Sequence, residues 1–225
     1  MTASRFFTTA STSNIILASH ADFNISTRSI CGWGMNIQDS GTYRVLAMHG
    51  VWNEPGVYAL FINKSTTPDL FEFRHREDAG AARVVQIAAN MDIDDWYFCG
   101  GTKTGTTATV FKYENSSNTT TTQSESSEDA SNSGQDQITI GENKSGSEDW
   151  LGYISWVMVF NRVLSNAEFQ ELQWNPMAIT SGNVVKLPIW GDATELDITG
   201  NAHNGTVDGA TTATIGPPIF LLGGQ

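Results

Sequence analysis

The chain has 225 residues, enough for one large β domain or two small ones with a substantial core. Twelve Lys and Arg against 24 Asp and Glu leave a net charge of −12, and no run of basic residues could follow a phosphate backbone, so nucleic acid is not an expected partner. Charged residues make up only 16% while Thr, Ser, Asn and Gly abound, a composition typical of β-rich extracellular or particle proteins; no apolar run approaches the ~20 residues of a membrane span.

In chain order, "MTASRFFTTASTSN" lacks the basic region and apolar core of a secretory signal. The expectation is a protein that stays where it is made or leaves by lysis or in an assembly. Ten strand-like segments then recur between turn signals: "NIILAS", "RSICGWGMNI", "TYRVLAMHG", "VYALFINK", "LFEFRHR", "ARVVQIAA", "WYFCGGTK", "TATVFKYE", "DQITIGE" and "YISWVMVF". "LFEFRHR" alternates cleanly, which predicts a wet face carrying Leu70, Glu72, Arg74 and Arg76. Cys31 and Cys99 each lie in a strand pattern beside Gly and aromatic residues; they read as two buried small hydrophobes, or else as one bridge between neighbouring strands. The four histidines, His20, His49, His75 and His203, are scattered singly, which gives metal binding little linear support. "ENSSNTTTTQSESSEDASNSGQDQ", from Glu114 to Gln137, has no apolar residue large enough to anchor a core and reads as a long loop, mobile, edge-covering or ordered by a neighbouring subunit.

Between Leu151 and Leu172 the period changes. Tyr153, Ser155, Val157 and Val159 alternate with Ile154, Trp156, Met158 and Phe160, and both faces are largely apolar, which predicts a strand covered on both sides. After Asn161, Ser165 followed by Glu168 is a capping box, and Phe169 and Leu172 continue at helical spacing, so a short helix is predicted near residues 166–174, over by Pro176. Ten strands and one short helix predict an all-β fold of two antiparallel sheets packed face to face, a jelly-roll sandwich. The tail reads strand, turn ("DITGNAHNG"), strand and an apolar "PPIFLL" that must pack under the domain or on another chain.

The strand ending "VFNRVLSNAEFQEL" resembles the closing segment of laminin G-like, concanavalin A-like jelly-roll domains, and "SICGWGM", "DDWYFCGGTKTGTTATVFKYEN" and "QITIGEN" look like earlier strands of that family in the same order. "LPIWGDATELDITGNAHNGTVDGAT" is similar to the opening that many of these domains carry at their N-terminus, but here it comes last. The resemblance implies a laminin G-like core over residues 1–175, with residues 176–225 as an extension that completes the sandwich or contacts a neighbouring subunit. This ordering is similar to structural proteins of tailed bacteriophages.

The resemblance also sets the candidate sites. Related jelly-roll enzymes hydrolyse β-glucans with carboxylates on one strand; the nearest pair is Asp92 and Asp94 in "MDIDDW", which would share a face if this were a strand but has no Glu, and an acidic loop before "WYFCGG" is the favoured reading. There is no Ser-His-Asp spacing and no nucleophile elbow. No cofactor is required, but calcium is the candidate the family suggests, with Asp197, Asn201 and Asn204 as oxygen ligands and Asp192 as a further one; the same residues are equally what a tight turn uses. For carbohydrate, Trp52 and Trp190 sit beside polar residues and offer exposed aromatic platforms, whereas Trp33, Trp96 and Trp156 belong to strand patterns and the core. The expectation is a non-enzymatic structural or adhesion protein of a virus particle, located in the virion and contacting other virion proteins and copies of itself. The alternatives are a soluble carbohydrate-binding module that meets cell-surface glycans and, third, a diverged glycoside hydrolase.

Overall fold

The computed structural model describes residues 4–8, 13–38, 43–51, 54, 56–76, 83–88, 91–126, 136–144, 148–191 and 193–219. In chain order the strands are β1 (Ser4–Phe7), β2 (Asn14–Leu17), β3 (Arg28–Asn36), β4 (Tyr43–His49), β5 (Tyr58–Asn63), β6 (Leu70–His75), β7 (Arg83–Ala88) and β8 (Trp96–Thr104). They continue with β9 (Thr107–Glu114), β10 (Thr119–Ser126), β11 (Ile138–Ile140), β12 (Gly152–Phe160), helix α1 (Asn166–Trp174), β13 (Asn183–Leu187), β14 (Thr194–Glu195), β15 (Gly205–Asp208) and β16 (Thr211–Ala213).

Two antiparallel sheets result. One runs β10-β9-β8-β3-β12-β1-β16, with β13 on the other end of β12; the second runs β14-β15-β2-β11-β4-β5-β6-β7. All ten strands expected up to β12 are present, and the fold is the predicted jelly-roll sandwich. The tail pairs with both sheets: β13 with β12, β15 with β2, and β16 with β1. Among the described residues no helix is long and apolar enough to cross a membrane.

Leu46, Leu60, Phe73, Cys99, Ile154 and Val157 pack between the sheets. The back of the first sheet carries a second apolar layer, including Cys31, Trp33, Phe98, Trp156 and Phe160, which Phe169 and Leu172 of α1 cover. The helix can lie this close because of "CGG": a Cβ on Gly100 would meet the Phe169 ring at 2.6 Å, and one on Gly101 would meet Phe73 at 2.2 Å from the opposite face. Cys31 and Cys99 occupy adjacent strands but opposite faces, and both are free thiols whose burial pushes their pKa up.

The capping box forms as the sequence predicts: Glu168 N–H donates to Ser165 Oγ (3.3 Å) and Ser165 N–H donates to Glu168 Oε2 (2.8 Å). Two expectations need correction. Thr119–Ser126, read as loop, is a full edge strand zipped to β9 over its whole length; a run of β-branched threonines needs no apolar anchor when a neighbouring strand supplies the hydrogen bonds. The remainder of that stretch, 127–135, lies outside the described residues. Glu72, expected in water, is only 4% exposed; it accepts from Asn63 Nδ2 at 3.0 Å, and burial raises its carboxyl pKa. Asp92 and Asp94 lie in an acidic loop before β8, the reading the sequence favours, where Asp94 takes a left-handed conformation (φ 64°) and the two share no strand face.

Candidate functional site: a polar cleft at one end of the sandwich

Four separate segments meet at one end of the molecule. At the end of β12, Asn161 N–H donates to Gly182 O (2.9 Å), which brings Asn161 beside Asn183, the first residue of β13. The "DITGNAHNG" turn folds over them. Asp197 organises it: Oδ1 accepts from Lys186 N (3.0 Å) and Thr199 N (3.1 Å), and Oδ2 accepts from Thr199 Oγ1 (2.7 Å) and His203 N (3.2 Å). Asp197 N in turn donates to Asn204 Oδ1 at 2.9 Å. Asn201 clamps the turn to β13 through Nδ2, which donates to the carbonyls of Val184 (2.9 Å) and Asn183 (3.2 Å).

The last wall comes from the other end of the chain. After β2 a single 3-10 turn, Ala21–Phe23, is capped by His20, whose Nδ1 accepts from Asp22 N at 3.2 Å. Phe23 is fully buried and anchors the turn against His203, with ring centroids 4.8 Å apart. His20 and His203 then lie with ring centroids 4.5 Å apart, and His203 Nε2 stands 3.0 Å from Asp22 Oδ2.

Together Asp22, Asn161, Asn183, Val184 and Asn201 line an open cleft of about 260 Å³. Its chemistry is that of amides, one carboxylate and one short apolar side chain. Asn183 Oδ1 has no hydrogen-bond partner among the described residues. That oxygen is buried, so it lies behind the cleft surface and not on it.

The structure separates the residues singled out in the sequence. Asn201 lines the cleft, while Asp197 and Asn204 build the turn that shapes it. Trp190 is half exposed but meets Trp156 edge-on (6.2 Å, 88°) on the back of the first sheet, and does not line the cleft. Trp52 and Asp192 lie outside the described residues. Asn161, Asn183, Asp22, His20 and His203 were missed as a group, and no linear signal unites them: the contact between His203 and Asp22 spans 181 residues.

Comparison with known proteins supports the fold read from these elements. No curated protein sequence matches the chain. Among solved structures, a candidate carbohydrate-binding protein from Bacteroides ovatus superposes with a TM-score of 0.65 at 15% identity, over 98% of this chain and 62% of that one. A heptameric pentraxin from Limulus polyphemus gives 0.60 at 10% identity, over 95% of this chain and 96% of that one. The enzymatically active domain of tailspike protein 2 from bacteriophage CBA120 gives 0.53 at 8% identity, over 76% of this chain and 30% of that one. At such identities the likeness speaks for the fold alone. The sequence itself matches a family over residues 9–170, so the strand alternation, the capped helix and the two-sheet sandwich converge on one assignment: the chain belongs to the concanavalin A-like lectin/glucanase superfamily.

Proposed function

We propose that the chain is a non-enzymatic glycan-binding module that serves adhesion. The observation that carries this reading is the cleft: Asn161, Asn183, Asn201 and Asp22 line a shared open space of about 260 Å³. Sugar hydroxyls both donate and accept, and amides do the same, so three amides with one acceptor fit a hydroxyl-rich ring better than a lipid or a charged ligand. The similarity to a candidate carbohydrate-binding protein lends support. A non-enzymatic reading is favoured by the same lining, since hydrolysis by the two-carboxylate route needs a partner about 5–9 Å from the first, and among the described residues Asp22 is the one carboxylate lining the cleft.

The setting we propose is a virus particle, with other virion proteins and further copies of this chain as partners. Two observations favour it: the sandwich resembles part of a phage tailspike, and β10 closes one end of its sheet as an exposed eight-residue strand with backbone groups to offer a neighbour.

A glycan array probed with the wild-type chain and with N161A and N183A tests the central reading. Retained binding to the hit glycan in both variants, or no glycan bound by the wild type, would end it. Binding weakened at least about tenfold, as expected when hydrogen bonds to a desolvated ligand are removed, would uphold it. W190A is expected to bind like wild type.

A further inference from the structure

We propose that His20, Asp22 and His203 form a binding site for a divalent transition-metal ion of the zinc class, at the edge of the polar cleft. His20 Nδ1 is 3.3 Å from Asp22 Oδ2, and that oxygen is 3.0 Å from His203 Nε2; all three donor atoms lie within 4.8 Å of one another. An ion held tetrahedrally by bonds of about 2.0–2.1 Å separates its ligand atoms by about 3.4 Å. Two of the three separations therefore already suit an ion, and the third closes by a rotation of His20, whose side chain is half exposed, at the expense of its hydrogen bond from Asp22 N–H.

The fold holds His203 where an ion needs it. Its ring is only 6% exposed and packs on Phe23, its backbone N–H is tied to Asp197, and the residue before it, Ala202, takes a left-handed conformation (φ 62°) that a side-chain-bearing residue adopts only when its surroundings enforce it. A plain core histidine would bury its nitrogens against backbone carbonyls. Here Nε2 is aimed at a carboxylate that also faces a second imidazole.

The donor set selects the ion. Two imidazole nitrogens and one carboxylate oxygen suit zinc, copper or nickel, whereas calcium asks for six to eight oxygens. Three protein ligands leave at least one position open, and because Asp22 also lines the cleft, that position borders it. Binding exchanges one exposed hydrogen bond, from Asp22 N–H to His20 Nδ1, for a metal bond, and the chain's charge of −12 favours a cation.

Isothermal titration of the untagged protein with Zn²⁺, followed by Co²⁺ substitution to read the visible spectrum of a four-coordinate ion, tests the site. The expected result is one zinc per chain, not displaced by excess Ca²⁺, with affinity lowered at least about tenfold in H20A, D22N and H203A. H20A and D22N alter half-exposed side chains, so they report even where H203A fails to fold. Failure to bind zinc, or zinc binding and cobalt spectra unchanged in H20A and D22N, overturns the proposal and leaves an adventitious ion only.

Discussion

Arg5 Nε donates to Glu195 Oε1 at 2.5 Å across 190 residues of sequence, with both side chains at most 4% exposed, so an ion pair buried in the protein ties the first strand to the tail. Its oxygens are shared. Glu195 also accepts from Trp190 N (3.0 Å) and Gly191 N (2.9 Å), and Arg5 Nη1 donates to Ala210 O at 2.8 Å. The carboxylate thus fixes the turn between β13 and β14 and the guanidinium holds the connection between β15 and β16, the elements through which the tail reaches both sheets.

Removing one partner of a buried, hydrogen-bonded pair strands the other charge, at a cost of about 3–5 kcal/mol. E195A and R5A are each expected to lose stability on that scale by urea denaturation, while the R5A/E195A double variant loses less than the two single losses added together. Additive losses would show that the two side chains act independently.

Gly100 decides whether α1 can sit on the sheet. The Cβ of G100A would meet the Phe169 ring at 2.6 Å, and Phe169 is fully buried, so the variant is expected to lose about 1–3 kcal/mol through forced displacement of the helix. F169L in the same chain should recover part of that loss, because the shorter side chain vacates the contested space. An unaltered urea midpoint in G100A would mean that the helix is not held in this position.

How much of this was legible beforehand follows the range of each interaction. The alternation in β3 and β8 and the Ser165–Glu168 box act over a few residues, and the sequence displays them directly, whereas in β12 a bulge between Ile154 and Val157 puts Ile154 on the face of Val157 and Val159 and not on that of Trp156, Met158 and Phe160. β10 was missed because its threonines carry no hydrophobic pattern; its partner β9 supplies what the strand lacks. The cleft was legible only at Asn201, since Asp22, Asn161 and Asn183 come from segments that meet only after both sheets form. Asp197 and Asn204 read correctly as residues of a special turn, but the product of that turn, the placement of His203, depends on a 3-10 turn at the far end of the chain.

Acid should destabilise the protein in two overlapping windows. His49, stacked on Tyr58 with Nδ1 3.1 Å from Gly56 O, is pushed down to about 4 by burial, and His75 to about 3 by burial and the nearby Arg28, Lys103 and Arg83. Both fall below the ordinary value of 6.5, so the unfolded chain takes up protons first as the pH drops. Stability is therefore full above about pH 6.5 and declines from there toward pH 4, by on the order of 3 kcal/mol for His49 alone. Glu168 follows lower. Its hydrogen bond from Arg162, helped by those from Ser165, pulls it from 4.5 to about 2, so its contribution is present above about pH 4.5 and fades below it. Urea midpoints measured from pH 7.5 to 4 are expected to fall steadily, and H49Q should flatten the slope between 6.5 and 4; a pH-independent midpoint over that interval would refute the assignment of a buried neutral His49.

Asp197 separates a turn from a calcium site. Its two oxygens already accept four hydrogen bonds, from Lys186 N, Thr199 N, Thr199 Oγ1 and His203 N, so a calcium ion would have to displace donors that the fold has placed there. D197A leaves those donors without their acceptor and is expected to cost about 3 kcal/mol, with D197N in between because one oxygen remains. Millimolar calcium should leave the melting temperature of the wild type unchanged. A rise in melting temperature with millimolar calcium in the wild type that is absent in D197A would instead assign the turn to the ion. Because the same carboxylate holds the backbone of His203, D197N should also weaken zinc binding while leaving His20 and Asp22 untouched, and that coupling is what distinguishes a turn built to place a ligand from one that merely closes a loop.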